Sequence, residues 1–388
     1  MKILVTGAGG FIGKNLTAEL KNRGFDEVWE YDINTGRPML FKYARDCDFV
    51  FHLAGVNRPK EESEFMEGNC GFTGELIRAL VENNNPAPIL VSSSIQAELP
   101  NPYGESKRAG EELLFRYAEE YGAEVFVYRL PNVFGKWCRP DYNSVVATFC
   151  NNIARSMPIR INDGETVLKL VYIDDVVNEF IGRMEAFEKK LSSGDQTDGN
   201  EQGSASGRTF YGIPVTYSIK LSGLAECIEG FKASRSSLMI PDFKDELTKK
   251  LYSTYLSYLP EDDFSYALDM HKDQRGSFTE FIKTGTSGQV SVNVVKPGIT
   301  KGEHWHHSKN EKFLVVSGQG LFQFRKYGEE RIIEYRVSGE ELKVLDIPTG
   351  YVHNIINEGK EDMVVIIWAN EVFDPARPDT YYEKVLRE

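Results

Sequence analysis

The strand-like run Lys2-Ile3-Leu4-Val5 passes through Thr6 straight into Gly7-x-x-Gly10-x-x-Gly13, where helical periodicity begins at once. A strand that turns on glycines into a helix commits the chain to a βαβ start. The glycines allow the tight turn, close helix-on-strand packing and close approach of an anionic group to backbone N–H groups. Further short apolar runs follow in alternation with amphipathic stretches: Val28–Tyr31, Phe49–Leu53, Ile89–Val91 and Glu124–Tyr128. From residue 1 to about residue 190 this predicts a doubly wound parallel α/β sheet of the Rossmann type. The stretch between Asp32 and Asp48 is short, so at least one βα unit there is expected to be shortened or missing.

Residues 192–208 are poor in apolar side chains and rich in Gly, Ser and Asp, the composition of an exposed, mobile insertion. A strand is expected from Phe210 to Ser218, then helices over Leu221–Phe231 and Phe243–Leu259. After Pro260 the pattern changes to short alternating strands with glycine turns, among them Gln289–Val295, Phe313–Val316, Gly320–Arg325, Arg331–Val337 and Met363–Trp368. Strands at this spacing predict an all-β barrel or sandwich. The expected division is therefore residues 1–260 and residues 261–388, as 388 residues are long for one core.

With 45 basic against 58 acidic residues, a net charge of -13 and no Lys/Arg-rich block, nucleic acid is not an expected partner. An anionic ligand must be held by local groups, such as helix N-termini and single arginines. No basic-apolar leader opens the chain and no apolar run reaches membrane-spanning length, so a cytoplasmic location without membrane insertion is expected. The five cysteines are scattered and form no C-x-x-C pair, which points to buried thiols rather than a disulfide framework or a thiolate zinc site.

The glycine turn is the candidate dinucleotide site. Asp32, at the end of the second strand, is placed to bond the adenosine ribose, which favours NAD. Arg37 and Lys42 lie just beyond and could accept a 2'-phosphate, so the residues leave NADP and NAD both open. Tyr103 and Lys107 are four apart on one helix face, and Ser92-Ser93-Ser94 ends the strand before them. A lysine beside a tyrosine is expected to lower the phenol pKa, and a serine hydroxyl can bond the same substrate oxygen, a proton relay for making or breaking a carbonyl.

Near the other end, His304-x-His306-x4-Glu311 and His353 place imidazoles and a carboxylate at ligand spacing. The set suits a divalent zinc, iron, manganese or nickel ion, with zinc first among them. His52 sits in an apolar strand and is expected to be a packed residue near the cofactor. His271 and His307 have no spacing partner, although His307 adjoins the ligand set.

Taken with His52-Leu53-Ala54-Gly55, Asn69 to Thr73, Arg129-Leu130-Pro131-Asn132-Val133-Phe134-Gly135 and Val171-Tyr172-Ile173-Asp174-Asp175-Val176, these motifs resemble the extended short-chain dehydrogenase/reductase superfamily over about residues 1 to 260. The resemblance implies Ser94, Tyr103 and Lys107 as catalytic residues, with Ser93 as the fallback serine. It implies Gly7, Gly10, Phe11, Ile12, Gly13, Asp32, Arg37, Leu53, Ala54 and Lys107 as cofactor-binding residues. The spacing from Ser94 to Tyr103 is shorter than the superfamily pattern.

The segment from Gly298 through Gly318, with Pro348 to Asn357, resembles the cupin barrel, with His304, His306, Glu311 and His353 as metal ligands. Asp273-x-Arg275-Gly276-x-Phe278-x-Glu280 is similar to a segment of cupin-type epimerases of 4-keto-deoxysugar nucleotides. In this order the two halves resemble the CapF-type bifunctional enzymes of capsular polysaccharide synthesis. That resemblance implies C3 epimerisation of a UDP-2-acetamido-2,6-dideoxy-4-hexulose by the cupin half, then NADPH-dependent reduction of the C4 ketone. The implied product is the UDP-N-acetyl-6-deoxy-talosamine precursor of UDP-N-acetyl-L-fucosamine, and a homodimer is the family-based expectation. Two other readings stay open: an NAD-dependent sugar-nucleotide epimerase or dehydratase with a sugar-binding cupin, and a non-catalytic NADP-binding sensor or scaffold.

Overall fold

The computed structural model describes residues 1–193 and 208–387. Most of the expected insertion at 192–208 lies outside the described residues; Ser192 and Ser193 end a helix, Ile173–Ser193. Two compact units emerge, Met1–Ile228 with Lys250–Leu259, and Glu229–Lys249 with Pro260–Glu388. No described helix is long and apolar enough to cross a membrane.

The first unit is built on β1 (Ile3–Thr6), β2 (Val28–Tyr31), β3 (Phe49–His52), β4 (Ile89–Ser94) and β5 (Val125–Leu130). A three-stranded side sheet holds β6 (Asn132–Phe134), β7 (Val167–Tyr172) and β9 (Tyr217–Lys220), while β8 (Phe210–Tyr211) joins the main sheet. The main sheet runs β2-β1-β3-β4-β5-β8 with all pairs parallel. β1 and β3 are buried at every position. Each face carries its own apolar cluster, one around Leu16, Phe51 and Phe180, the other around Leu40, Leu80 and Leu114. A sheet covered on both faces by helices reads as continuous apolar strands, which is why the sequence shows runs rather than alternation here.

The shortened unit takes a specific form. The helix Arg37–Asp46 leads directly from β2 back to β3 on the other side of β1, so among the described residues β2 is an edge strand of the sheet. Strand order therefore reverses at β1, between β2 and β3, and ligands of such sheets bind beyond the carboxyl ends of strands at that reversal. The single strand expected over Phe210–Ser218 is two, β8 parallel to β5 and β9 antiparallel to β7. Pro214, which has no N–H to give a ladder, lies in the break between them. The helices expected after it run Leu221–Ser237 and Glu246–Leu256.

In the second unit β10 (Met270–Asp273), β11 (Gly276–Thr284), β12 (Gly288–Val295), β13 (Thr300–Trp305) and β14 (Glu311–Ser317) are followed by β15 (Gln319–Lys326) and β16 (Ile332–Ser338). The chain ends through β17 (Val344–Ile347), β18 (Tyr351–Asn357), β19 (Met363–Ala369) and β20 (Tyr381–Tyr382). Two antiparallel sheets result, β10-β11-β12-β19-β14-β17 and β16-β15-β18-β13-β20, making the all-β cupin-type barrel. Phe313, Phe322, Phe324, Val365 and Ile355 fill its apolar core.

Candidate functional site

In the first unit the glycine turn is as tight as its residues require. Gly7 has φ +71°, and a Cβ there would lie 2.6 Å from the Ala54 nitrogen; one at Gly13 would lie 2.2 Å from the Gly7 carbonyl oxygen. Any larger residue would push β1, the helix and the β3 loop apart. The helix Phe11–Asn22 that follows has Gly10 as N-cap, with no side-chain cap and no acidic residue in its first turn. Its first N–H groups are thus left for an anion, where the helix dipole favours negative charge. By contrast, the helix Pro102–Tyr121 is capped by Asn101, whose Oδ1 accepts from Gly104 N at 2.8 Å.

Asp32 ends β2 beside this turn. Its carboxylate accepts from Gly9 N at 2.5 Å and from Ile33 N at 2.7 Å, so it faces the glycine loop. Arg37 is exposed, and its Nε lies 2.6 Å from Glu75 Oε1; its guanidinium is held by a carboxylate in this state. Leu53 and Ala54 follow β3 at the strand reversal, with Ala54 N donating to Thr6 Oγ1 at 3.4 Å. His52 is a packed residue, as expected. Its ring nitrogens lie 2.8 Å from Thr6 Oγ1 and 2.9 Å from Thr73 Oγ1, and burial lowers its pKa to about 3.

Ser94, Tyr103 and Lys107 come together at the carboxyl end of β4. A hydrogen bond with Ser94 favours the ionised Tyr103, yet burial outweighs it and the phenol pKa is raised. The expected depression by lysine is absent here, for a visible reason. Lys107 Nζ lies 5.9 Å from the Tyr103 ring centre, donates to Ser92 O at 3.4 Å, and is itself so buried that its pKa falls to about 8. Ser93 faces the other way and donates to Glu111 Oε1 at 2.5 Å; Glu111 is also held by Arg129 at 3.0 and 2.6 Å. Strand alternation therefore leaves Ser94, not Ser93, beside the tyrosine.

Asn69 has a positioning role that the motif alone did not specify. It sits in a π-helical turn, Met66–Gly71, bonds Val56 N and O at 2.9 and 3.0 Å, and donates to Ser106 Oγ at 2.9 Å. It thereby ties the loop after β3 to the helix that carries Lys107. Gly55 in that loop packs so closely that a Cβ would lie 3.0 Å from Lys107 Nζ.

In the second unit His304, His306, Glu311 and His353 converge. One ligand atom from each lies within 4.8 Å of the others. His304 is on β13, His306 just after it, Glu311 opens β14 and His353 is on β18. His306 Nδ1 lies 2.6 Å from the Asp379 carbonyl oxygen, and His353 Nδ1 lies 3.3 Å from that of Tyr351. A carbonyl only accepts, so both rings carry hydrogen on Nδ1 and turn Nε2 inward.

The two Nε2 atoms face Glu311 Oε2 at 3.3 and 3.7 Å. His353 Nε2 is buried without a hydrogen-bond partner. Burial and the neighbouring imidazoles lower the His304 pKa to about 3. Burial pushes Glu311 up, but His306 and His353 outweigh it and hold the carboxylate below its ordinary range. Three imidazoles gathered round an ionised carboxylate are a donor set that a divalent cation fits, the ion displacing hydrogen from the inward Nε2 atoms, at about 2 Å from each ligand.

The cluster opens on a cavity of about 450 Å³ whose wall includes His271, Phe278, Glu280, Lys301 and Lys309. Phe278 and Glu280 come from the segment singled out upstream. Lys301 was not anticipated: its ammonium donates to Asn293 Oδ1, Val294 O and Ser277 O at 2.7, 2.9 and 3.3 Å. Nothing in its sequence context marks it, as its partners come from neighbouring strands. His307 is exposed and stacks edge-on with Trp305 and Tyr381.

Comparison with known proteins matches both units. Residues 3–195 match the NAD dependent epimerase/dehydratase family and residues 271–381 the polysaccharide biosynthesis C-terminal domain. The chain is 47% identical to a UDP-2-acetamido-2,6-beta-L-arabino-hexul-4-ose reductase of Pseudomonas aeruginosa, over 98% of both chains. It is 50% identical to the capsular polysaccharide assembling protein CapF of Staphylococcus aureus, whose crystal structure superposes with a TM-score of 0.88 over 99% of this chain and 100% of that one. A UDP-glucose 4-epimerase of Thermotoga maritima, 21% identical with a TM-score of 0.51 over 66% of this chain and 98% of its own, shares the fold of the first unit alone. The first unit is of a family that uses a nicotinamide cofactor. The chain belongs to the CapF-type family of capsular polysaccharide biosynthesis enzymes, an epimerase/dehydratase-type Rossmann unit joined to a cupin-type C-terminal unit.

Proposed function

We propose that this chain carries out two steps on a UDP-linked 4-keto-6-deoxy-N-acetylhexosamine, C3 epimerisation in the cupin-type unit and NADPH-dependent C4 reduction in the Rossmann unit. The product is the UDP-N-acetyl-6-deoxy-talosamine precursor of UDP-N-acetyl-L-fucosamine. The observation that carries the reading is the presence, in one chain, of the Ser94–Tyr103–Lys107 group and the four-residue ligand cluster. An end-to-end relative named as a hexulose reductase supports it.

His304, His306, Glu311 and His353 would hold a divalent metal, zinc on the nature of the donors. When bound, such an ion acts as a Lewis acid on the 4-keto oxygen and so acidifies C3–H. The residues of the cavity then accept the C3 proton on one face and return one on the other, so that C3 inverts with no net change in redox state.

In the Rossmann unit the uncapped helix at Gly10 would receive the cofactor pyrophosphate, and Asp32 would bond the ribose. A dihydronicotinamide held there would supply the hydride for C4. Ser94 and Tyr103 orient the ketone oxygen, and the protonated phenol, kept neutral by burial, delivers the proton that completes the alcohol. The Lys107 ammonium supplies positive charge beside the ribose and phenol. The homodimer expected from the resemblance and the cytoplasmic location expected from the sequence pattern belong to this proposal.

Incubation with UDP-2-acetamido-2,6-dideoxy-4-hexulose in deuterated water tests it. Deuterium at C3 without NADPH, and stoichiometric NADPH oxidation when it is added, are expected. Turnover with an unchanged cofactor spectrum would favour the epimerase or dehydratase reading instead, and binding without turnover the sensor reading.

A further inference from the structure

β13 would be the free edge of its sheet if the chain ended earlier; instead β20 pairs with it, setting His304 opposite Tyr382 and Trp305 opposite Tyr381. Just before β20, Asp379 adopts φ +28°, a left-handed conformation, and gathers the loop after β13. Its carboxylate accepts from His307 N at 3.0 Å, Ser308 N and Oγ at 2.9 Å, and Lys309 N at 2.8 Å, while its carbonyl takes His306 Nδ1. Thr380 Oγ1 accepts from Lys309 Nζ at 3.1 Å.

Just after β20 the chain crosses to the bulged residue of β13. Glu303, at φ +61°, is the extra residue between Gly302 and His304 in the ladder with β18. Its carbonyl accepts from Glu383 N at 2.9 Å; its carboxylate accepts from Val385 N at 2.6 Å and Asn354 Nδ2 at 3.0 Å. Arg325, 1% exposed, locks the same run from below through Val385 O, Lys384 O and the Glu383 carboxylate at 2.8, 2.9 and 2.5 Å. Residues 303–309, which carry two of the four cluster histidines, are thus held from outside by residues 379–385.

We propose that residues 379–385 form a clip that positions His304 and His306 for metal, so that metal binding and clip docking strengthen each other. This rests on the metal-binding reading of the cluster. Residues that orient metal ligands are worth about 10- to 100-fold in affinity, and coupling between two events is reciprocal. Asp379 is the sharpest test, because among the described residues it alone bonds both the His306 ring and the loop amides after it.

Zinc affinity of the full chain is to be measured by chelator competition for the wild type and Asp379→Asn, whose amide turns a donor toward the loop N–H groups. About 10- to 100-fold weaker zinc binding with an unchanged near-UV circular dichroism spectrum is expected. Should that variant not fold, hydrogen exchange on the wild type decides. Zinc is expected to slow exchange at the Glu383 and Val385 amides, which touch no ligand side chain. Tight zinc binding in the wild type with equal affinity in the variant, or with no change at those two amides, overturns the clip alone. A wild type that binds no zinc overturns the metal reading and the clip with it.

Discussion

His304 stands directly opposite His353 across the ladder of β13 and β18, ring centres 4.6 Å apart, because Glu303 is looped out of register beside it. Without that bulge His304 would sit one position away and its ring would turn to the opposite face. Since both imidazoles belong to the proposed ligand set, His353→Ala is expected to lower zinc content and C3 deuterium exchange by at least about 100-fold. NADPH oxidation with the epimerised ketone should stay near wild type. Retained exchange in a zinc-free variant would assign the epimerisation elsewhere.

Tyr103→Phe removes the proposed acid of the reduction but no atom of the second unit. Reduction is expected to fall about 10²- to 10⁴-fold, the usual worth of a positioned general acid. C3 exchange should continue unchanged, so a parallel loss of both activities would speak against two separate sites.

Burial brings the Lys107 pKa from 10.5 to about 8. The charged form is the one proposed to act, so kcat/KM at limiting cofactor, which reports the free enzyme, is expected to fall as pH rises through about 8. The stability term runs the other way. Between about 8 and 10.5 the unfolded chain keeps a proton that the folded chain has lost, so this group's cost to folding is relieved as pH rises across that window. Rate profiles of wild type and Lys107→Met, the latter lacking the step near 8, check the assignment.

To bond a 2'-phosphate, Arg37 would have to leave Glu75. A charge-assisted bond gained there is worth about 1.5–3 kcal/mol, less what the exposed ion pair returns, so Arg37→Ala is expected to raise the Kd for NADPH about tenfold and leave that for NADH unaltered. Fluorescence titration with each cofactor measures both. No change in either would leave Asp32 as the ribose contact and remove Arg37 from the site.

Both architectures, the glycine turn, the Tyr103–Lys107 pair and the His304–His306–Glu311 part of the His/Glu cluster were legible in the sequence because each depends on local period or spacing. Glycines at Gly7 and Gly13, two residues on one helix turn, and histidines near a strand end are contiguous features. The split of Phe210–Ser218 into two strands was missed because partners in two different sheets, not propensity, assign each half.

Tertiary structure alone decided the rest. Which serine faces Tyr103 is fixed by Glu111, itself held by Arg129, accepting from Ser93. The Tyr103 phenol is raised rather than lowered because burial acts on it and on Lys107 together. The hold of Asp379, Glu303 and Arg325 on the cluster joins residues far apart in the chain. Spacing reports only neighbours along the backbone, whereas desolvation and hydrogen bonding act between whatever groups the fold brings within a few ångströms.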